Sequence, residues 1–215
     1  MKKIMFKDKY GLTDAVLQGR KTMTRRICKE KATGEIIYTQ DVDSVRLYVQ
    51  DGITEFVMKN GEIKVSVLPY KVGEVVAVAQ SYRSFYEEYL DYTIPSNYWN
   101  VEYFNEKGYK NKMFVKASEM PHQIRITDIK VEKLQGIRDE DCLKEGVKYQ
   151  SIPTPTNDGT IIMNSKPCVY DRQRGVLIAY ECPYKAFADL IDKVSGKGTW
   201  EKNPFVFAYS FELVK

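Results

Sequence analysis

The chain predicts an α+β fold dominated by strands, a barrel-like sheet with short helices attached. Three observations carry that expectation. Strand-like apolar runs outnumber helical stripes. They follow one another in no β-α-β rhythm. Two hairpin turn signals, Asp51-Gly52 and Asn60-Gly61, fall between runs that alternate apolar and polar residues. With 215 residues, 43% of them hydrophobic, the chain can bury one sizeable core or support one domain with large insertions.

The elements are read in chain order. Thr13 caps a short helix through about Gln18, with Leu12, Val16 and Leu17 as its apolar stripe and Gly19 at its end. Residues 22 to 27 extend as a strand, because Thr22-Met23-Thr24 has strand propensity. Residues 35 to 68 form a polar-faced antiparallel meander, in which Val45, Leu47 and Val49, then Ile63, Val65 and Val67, alternate with polar partners. Gly73 to Ala79 is almost continuously apolar and predicts a central strand buried on both faces. Residues 84 to 120 lack a clean period and read as an irregular excursion, with Met113 to Lys116 beginning the return. His122 to Leu134 alternates again, with a bulge expected near Thr127-Asp128. Ile137 to Glu145 is a short helix, its acidic first turn complementing the helix dipole and Gly146 ending it. Residues 148 to 175, with Pro153, Pro155 and Pro167, read as a long loop. Tyr184 to Val194 is an amphipathic helix stopped by Gly196, and Phe205 to Val214 is a last, strongly apolar strand.

Composition narrows the function classes. The net charge of +4 arises from 33 basic and 29 acidic residues, which permits an anionic ligand without demanding a nucleic acid. Sixteen tyrosines suit a β-rich fold or base stacking. No apolar run reaches the length of a membrane helix, and the first residues lack a signal-peptide apolar region. A soluble, cytoplasmic protein with no membrane partner is the expectation. Cys28, Cys142, Cys168 and Cys182 are not spaced as CxxC, and His122 is the sole histidine, so no zinc pattern exists and no cofactor is expected. Buried reduced thiols explain the cysteines, with a Cys-His nucleophile using His122 as the other option.

The most informative stretch is Gly19-Arg20-Lys21-Thr22-Met23-Thr24-Arg25-Arg26. A deprotonated amine at Lys21 can activate the Thr24 hydroxyl, and Arg25 and Arg26 can hold phosphate or a developing anion. A solvated basic turn leading into a strand fits the same letters. In a regular strand, residues 21 and 24 face opposite ways. Lys21 must therefore lie in the turn after Gly19, before pairing begins, if both line one pocket. Ser81 and Tyr82, just beyond the buried strand, are either ligand contacts at the mouth of the barrel or structural hydrogen-bonding groups. Trp200 and Phe205 read as core and Arg125 as solvated.

Three segments together resemble the ASCH domain family, a relative of the PUA domain: Gly19 to Arg26, then Lys71-Val72-Gly73-Glu74-Val75-Val76-Ala77-Val78, then Ile137-Arg138-Asp139-Glu140-Asp141-Cys142-Leu143-Lys144-Glu145-Gly146. Gly198 to Pro204, leading into Phe205-Val206-Phe207, resembles larger ASCH-like proteins of phage and prophage. The resemblance covers about 10 to 27, 71 to 82, 122 to 147 and 182 to 214. It implies a single PUA-like β-barrel domain over residues 1–215 with insertions at about 28–70, 84–120 and 148–181. The usual family pattern has an acidic residue where this chain has Thr24. In that respect the motif is similar to a bacterial branch of amidohydrolases acting on N4-acetylcytidine. By that resemblance Lys21 is the base or proton shuttle, Thr24 the nucleophile and Glu145 the third catalytic member, with Arg26 near the ligand; Arg25, by its charge, and Ser81 and Tyr82, by their place at a strand end, join it as candidate ligand-binding residues. The expected partner is a modified nucleoside, a nucleotide or RNA. A non-catalytic RNA-binding module and a ribonuclease remain the alternatives.

Overall fold

The computed structural model describes residues 1–84 and 107–214. Most of the excursion expected at 84 to 120 lies outside the described residues. The described residues form a strand-dominated α+β structure with three sheets. The strands are β1 (Lys3–Ile4), β2 (Met23–Ile27), β3 (Val42–Tyr48), β4 (Ile53–Met58), β5 (Ile63–Val67), β6 (Val75–Val78), β7 (Gln123–Lys133), β8 (Lys148–Pro155), β9 (Ile161–Asp171), β10 (Val176–Ala179) and β11 (Phe205–Val214). The helices are α1 (Leu12–Leu17), α2 (Asp139–Lys144), α3 (Pro183–Ser195) and α4 (Thr199–Lys202).

The principal sheet has the order β1-β6-β7-β11-β2. Only the β1–β6 pair is parallel. β6 explains its own sequence: Val76 and Val78 enter the main core, while Ala77 and Ala79 pack into a second cluster with Tyr82, Val115 and Met120. A strand buried on both faces reads as a continuous apolar run. The bulge expected in β7 is present. Ser210 of β11 opposes Asp128 while Phe211 opposes Ile126, so Thr127 is the extra residue. This shifts the inward phase from Ile124 and Ile126 to Ile129, all three buried.

The meander is the sheet β3-β4-β5, turning at Gly52 (φ 69°) and Gly61 (φ 84°). Both values lie in the left-handed region that favours glycine, while Asp51 and Asn60 before them keep negative φ, so these turns are not of type I′. The meander is not polar throughout, since Val42, Phe56 and Met58 join the main core and Phe56 packs on Phe205 at 5.2 Å between ring centroids.

Two expectations are corrected. The segment 148–175 is not a loop but two strands of the sheet β10-β9-β8. Its prolines are placed where a ladder tolerates them. Pro153 and Pro155 lie on the edge strand β8. Pro167 lies on β9 beyond the last β10 pair, Ala179–Cys168. Thr13 is not the cap of α1; Gly11 (φ 62°) holds the N-cap position, and the Thr13 hydroxyl instead donates to Asp8. The side chain that reads as a cap is inside the helix because the chain enters from a 3-10 turn at Asp8–Tyr10.

Candidate functional site

β2 is the edge of the principal sheet, and what precedes it is held from two sides. The Lys21 amide donates to Ala15 O of α1 (2.8 Å), and the Thr22 amide donates to Lys144 O of α2 (3.0 Å). The ladder with β11 runs from Met23, and the bond from Phe211 N reaches back no further than Thr22 O. Lys21 therefore occupies the connection after Gly19, and its side chain is free of the strand's alternation. The amine is buried, with 2% of the residue exposed. Its Nζ donates to Glu145 Oε2 (2.6 Å) and to the Glu145 carbonyl (2.7 Å), and it sits 5.7 Å from the centre of the Phe6 ring.

Glu145 is placed by the end of α2, where Gly146 at φ 111° turns the chain away. A Cβ on Gly146 would meet Leu12 Cδ2 at 2.9 Å. Gly146→Ala is expected to destabilise the fold by about 1 to 3 kcal/mol, through strain at a left-handed φ and displacement of Leu12. Urea unfolding checks this, and an unchanged midpoint would contradict the geometric role.

The Glu145 carboxylate is shared. Oε2 faces Lys21, and Oε1 accepts from Arg25 Nη1 (3.1 Å). Arg25 also donates from Nε to Glu132 Oε1 (2.8 Å), and its side chain is 1% exposed. A buried arginine paired with three carboxylates, Glu132, Glu145 and, at 3.7 Å, Asp141, is a fixed strut rather than a free ligand-binding group. Burial lowers the Lys21 pKa from its ordinary value. The Glu145 carboxylate opposes that shift, and Arg26 and Arg25 add to it.

Lys21, Thr24, Arg25, Arg26 and Glu145 all line one cavity of about 530 Å³. Its walls are the Phe6 segment on one side and Phe187, Leu190 and Ile191 of α3 on the other. Among the described residues the Thr24 hydroxyl makes no hydrogen bond, and Lys21 Nζ is directed to Glu145 rather than to it. Arg26 lies over Phe6 and donates from Nη2 to Met5 O (2.8 Å).

The open edge of β2 adds donors that residue identity alone does not show. Cys28 N donates to Phe205 O, and Phe211 N donates to Thr22 O, so the even-numbered residues of this strand face β11. The amides of Arg25 and Ile27 therefore point to the unpaired edge, where both residues line the cavity. The signal that could have found them is the phase of strand pairing, which the sequence does not fix.

Ser81 and Tyr82 are not brought to this cavity. Tyr82 is 2% exposed in the second cluster, where its hydroxyl accepts from the Lys116 amide (3.1 Å), and the Ser81 hydroxyl meets that of Ser84. They follow a strand end, but β6 lies on the far side of β7 and β11 from β2. Three of the thiols are poor nucleophiles: burial raises the Cys28 and Cys168 pKa and pushes Cys142 up to about 12. All four cysteines are free. Among the described residues no three His, Cys, Asp or Glu side chains converge as a metal site, and no helix is long and apolar enough to cross a membrane. No protein family, curated protein or solved structure matches the chain.

Proposed function

We propose that the chain is an ASCH-like, PUA-related protein whose cavity binds a modified nucleoside or nucleotide and hydrolyses an acyl amide on it. The observation that supports this reading best is a threonine hydroxyl with no hydrogen-bond partner, in a cavity whose wall also holds a buried amine 2.6 Å from a carboxylate. The PUA-like barrel belongs to the same proposal; its support is the order and spacing of the three sequence segments, together with strand dominance.

In this reaction neutral Lys21 accepts the Thr24 proton as Oγ1 bonds to the acyl carbon. The carbonyl electron pair moves to oxygen, which the edge amides of Arg25 and Ile27 can receive. The oxyanion then collapses, the C–N bond breaks, and the Lys21 ammonium returns its proton to the leaving amine. Water, deprotonated by the same amine, cleaves the Thr24 ester, freeing the acid and the hydroxyl. Glu145 orients Lys21 throughout, and Arg25 keeps Glu145 in place. Lys21 and Thr24 share the cavity without a hydrogen bond between them, so one has to form when substrate enters, as catalytic hydrogen bonds commonly do.

The pH dependence follows from the direction of the Lys21 shift. The base must be deprotonated, so the rate rises with pH through a value below the 10.5 of an ordinary lysine and levels off above it. Stability moves the same way. Between the lowered folded pKa and the ordinary unfolded one, the unfolded chain holds more protons, so raising pH favours the folded state. Urea unfolding across that window should lose this rise in Lys21→Met; an identical profile would argue against the shift. Release of acetate from N4-acetylcytidine tests the activity directly. RNA binding without turnover, with affinity falling steeply in salt, would favour the binding module. Shortening of an end-labelled RNA would favour the ribonuclease.

A further inference from the structure

The cavity lining divides into cations that already have carboxylates and cations that do not. Lys21 faces Glu145, Arg25 faces Glu145 and Glu132, and Lys112 faces Asp8 at 2.7 Å. Lys7, Arg26 and Lys29 line the same space, and among the described residues none of them has an ion-pair partner. Among the described residues Glu145 is the one carboxylate in the lining, and it is already shared by two cations. The unoccupied part of the cavity is therefore left with positive charge.

Arg26 adds a specific demand. Its Nε is buried with no hydrogen-bond partner, while Nη2 is committed to Met5 O. An unmet buried donor on a charged group is costly, and a ligand oxygen would satisfy it. A guanidinium that shares the lining with two ammonium groups suits a phosphate dianion in charge, and its fork can bond two phosphate oxygens. The volume of about 530 Å³ lies in the range for small-molecule sites and suits one nucleotide.

We propose that the ligand is a mononucleotide, its terminal phosphate held by Arg26 with Lys7 and Lys29. The inference rests on the preceding reading only for the nucleoside part. The phosphate seat is read by binding and the hydrolase by acetate release, so either can fail alone.

The test is titration calorimetry at low salt with cytidine, cytidine 5′-monophosphate and a trinucleotide lacking terminal phosphates. The monophosphate is expected to bind about tenfold or more tightly than cytidine, and Arg26→Gln and Lys29→Gln to shrink that gap. Lys29 is exposed, so its variant keeps the fold; Arg26→Lys, which retains charge without the fork, should recover part of the preference. Equal binding of cytidine and the monophosphate, or binding of neither, overturns the proposal. A trinucleotide binding as tightly as the monophosphate also overturns it, because the phosphate would then come from an RNA backbone. Monophosphate binding without acetate release leaves the phosphate seat standing and removes the hydrolase.

Discussion

Thr24→Ala is expected to lower amide hydrolysis by about a thousandfold or more, because it removes the hydroxyl proposed to attack the acyl carbon; the other hydroxyl of the lining, Ser195, lies at the end of α3, away from the strand that carries Thr24. Thr24 sits on the edge strand, where exchanging threonine for alanine should cost about 1 kcal/mol or less of stability. The loss of rate should therefore far exceed any loss of fold. Thr24→Ser keeps a hydroxyl and should retain a measurable rate, since it changes only the freedom of the side chain. Burst kinetics with a slow-hydrolysing ester would further reveal an acyl-enzyme in the wild type and none in Thr24→Ala. Full activity in the alanine variant would leave the cavity as a binding site.

Lys21→Met is the second large effect, and it acts on fold and chemistry together. Methionine approximates the lysine stem in volume but removes the charge opposite Glu145. The Glu145 side chain is 5% exposed, so one of its oxygens would then face no cation. Removing one member of a buried pair commonly costs about 3 to 5 kcal/mol. Arg25 remains on the other oxygen, so we expect about 3 kcal/mol, read as a lower urea midpoint. The double variant Lys21→Met with Glu145→Gln should recover part of that loss, since it removes the stranded charge as well. Loss of the base should lower the rate by about a hundredfold to ten-thousandfold in protein that remains folded. An unchanged midpoint would show that the pair is not buried in solution.

Much of the architecture was legible because it depends on local rules. The period-two runs placed β7 and β11, and the glycines at 52 and 61 placed the meander turns. The bulge was readable at Thr127-Asp128 because the apolar phase slips there. The prolines misled at 148–175: whether a proline breaks a strand depends on whether its missing N–H faces a neighbour, and that is decided by tertiary pairing. Thr13 misled for a related reason, since capping depends on how the chain enters the helix. At the site, the position of Lys21 before pairing could be argued from alternation. The sharing of Glu145 between Lys21 and Arg25 could not, because those contacts span 124 and 120 residues. Ser81 and Tyr82 show the same limit, since the order of strands across a sheet is not written in their neighbourhood.

The position of β11 in the principal sheet also constrains how the molecule is made. It lies between β7 and β2 and comes after every other strand of the described chain. During synthesis those two neighbours emerge from the ribosome before the strand that joins them, and Thr24 lacks its cross-strand partner Tyr209 until residues 205–214 arrive. Ribosome-bound intermediates stalled before that point should be catalytically silent and prone to premature pairing along their exposed edges.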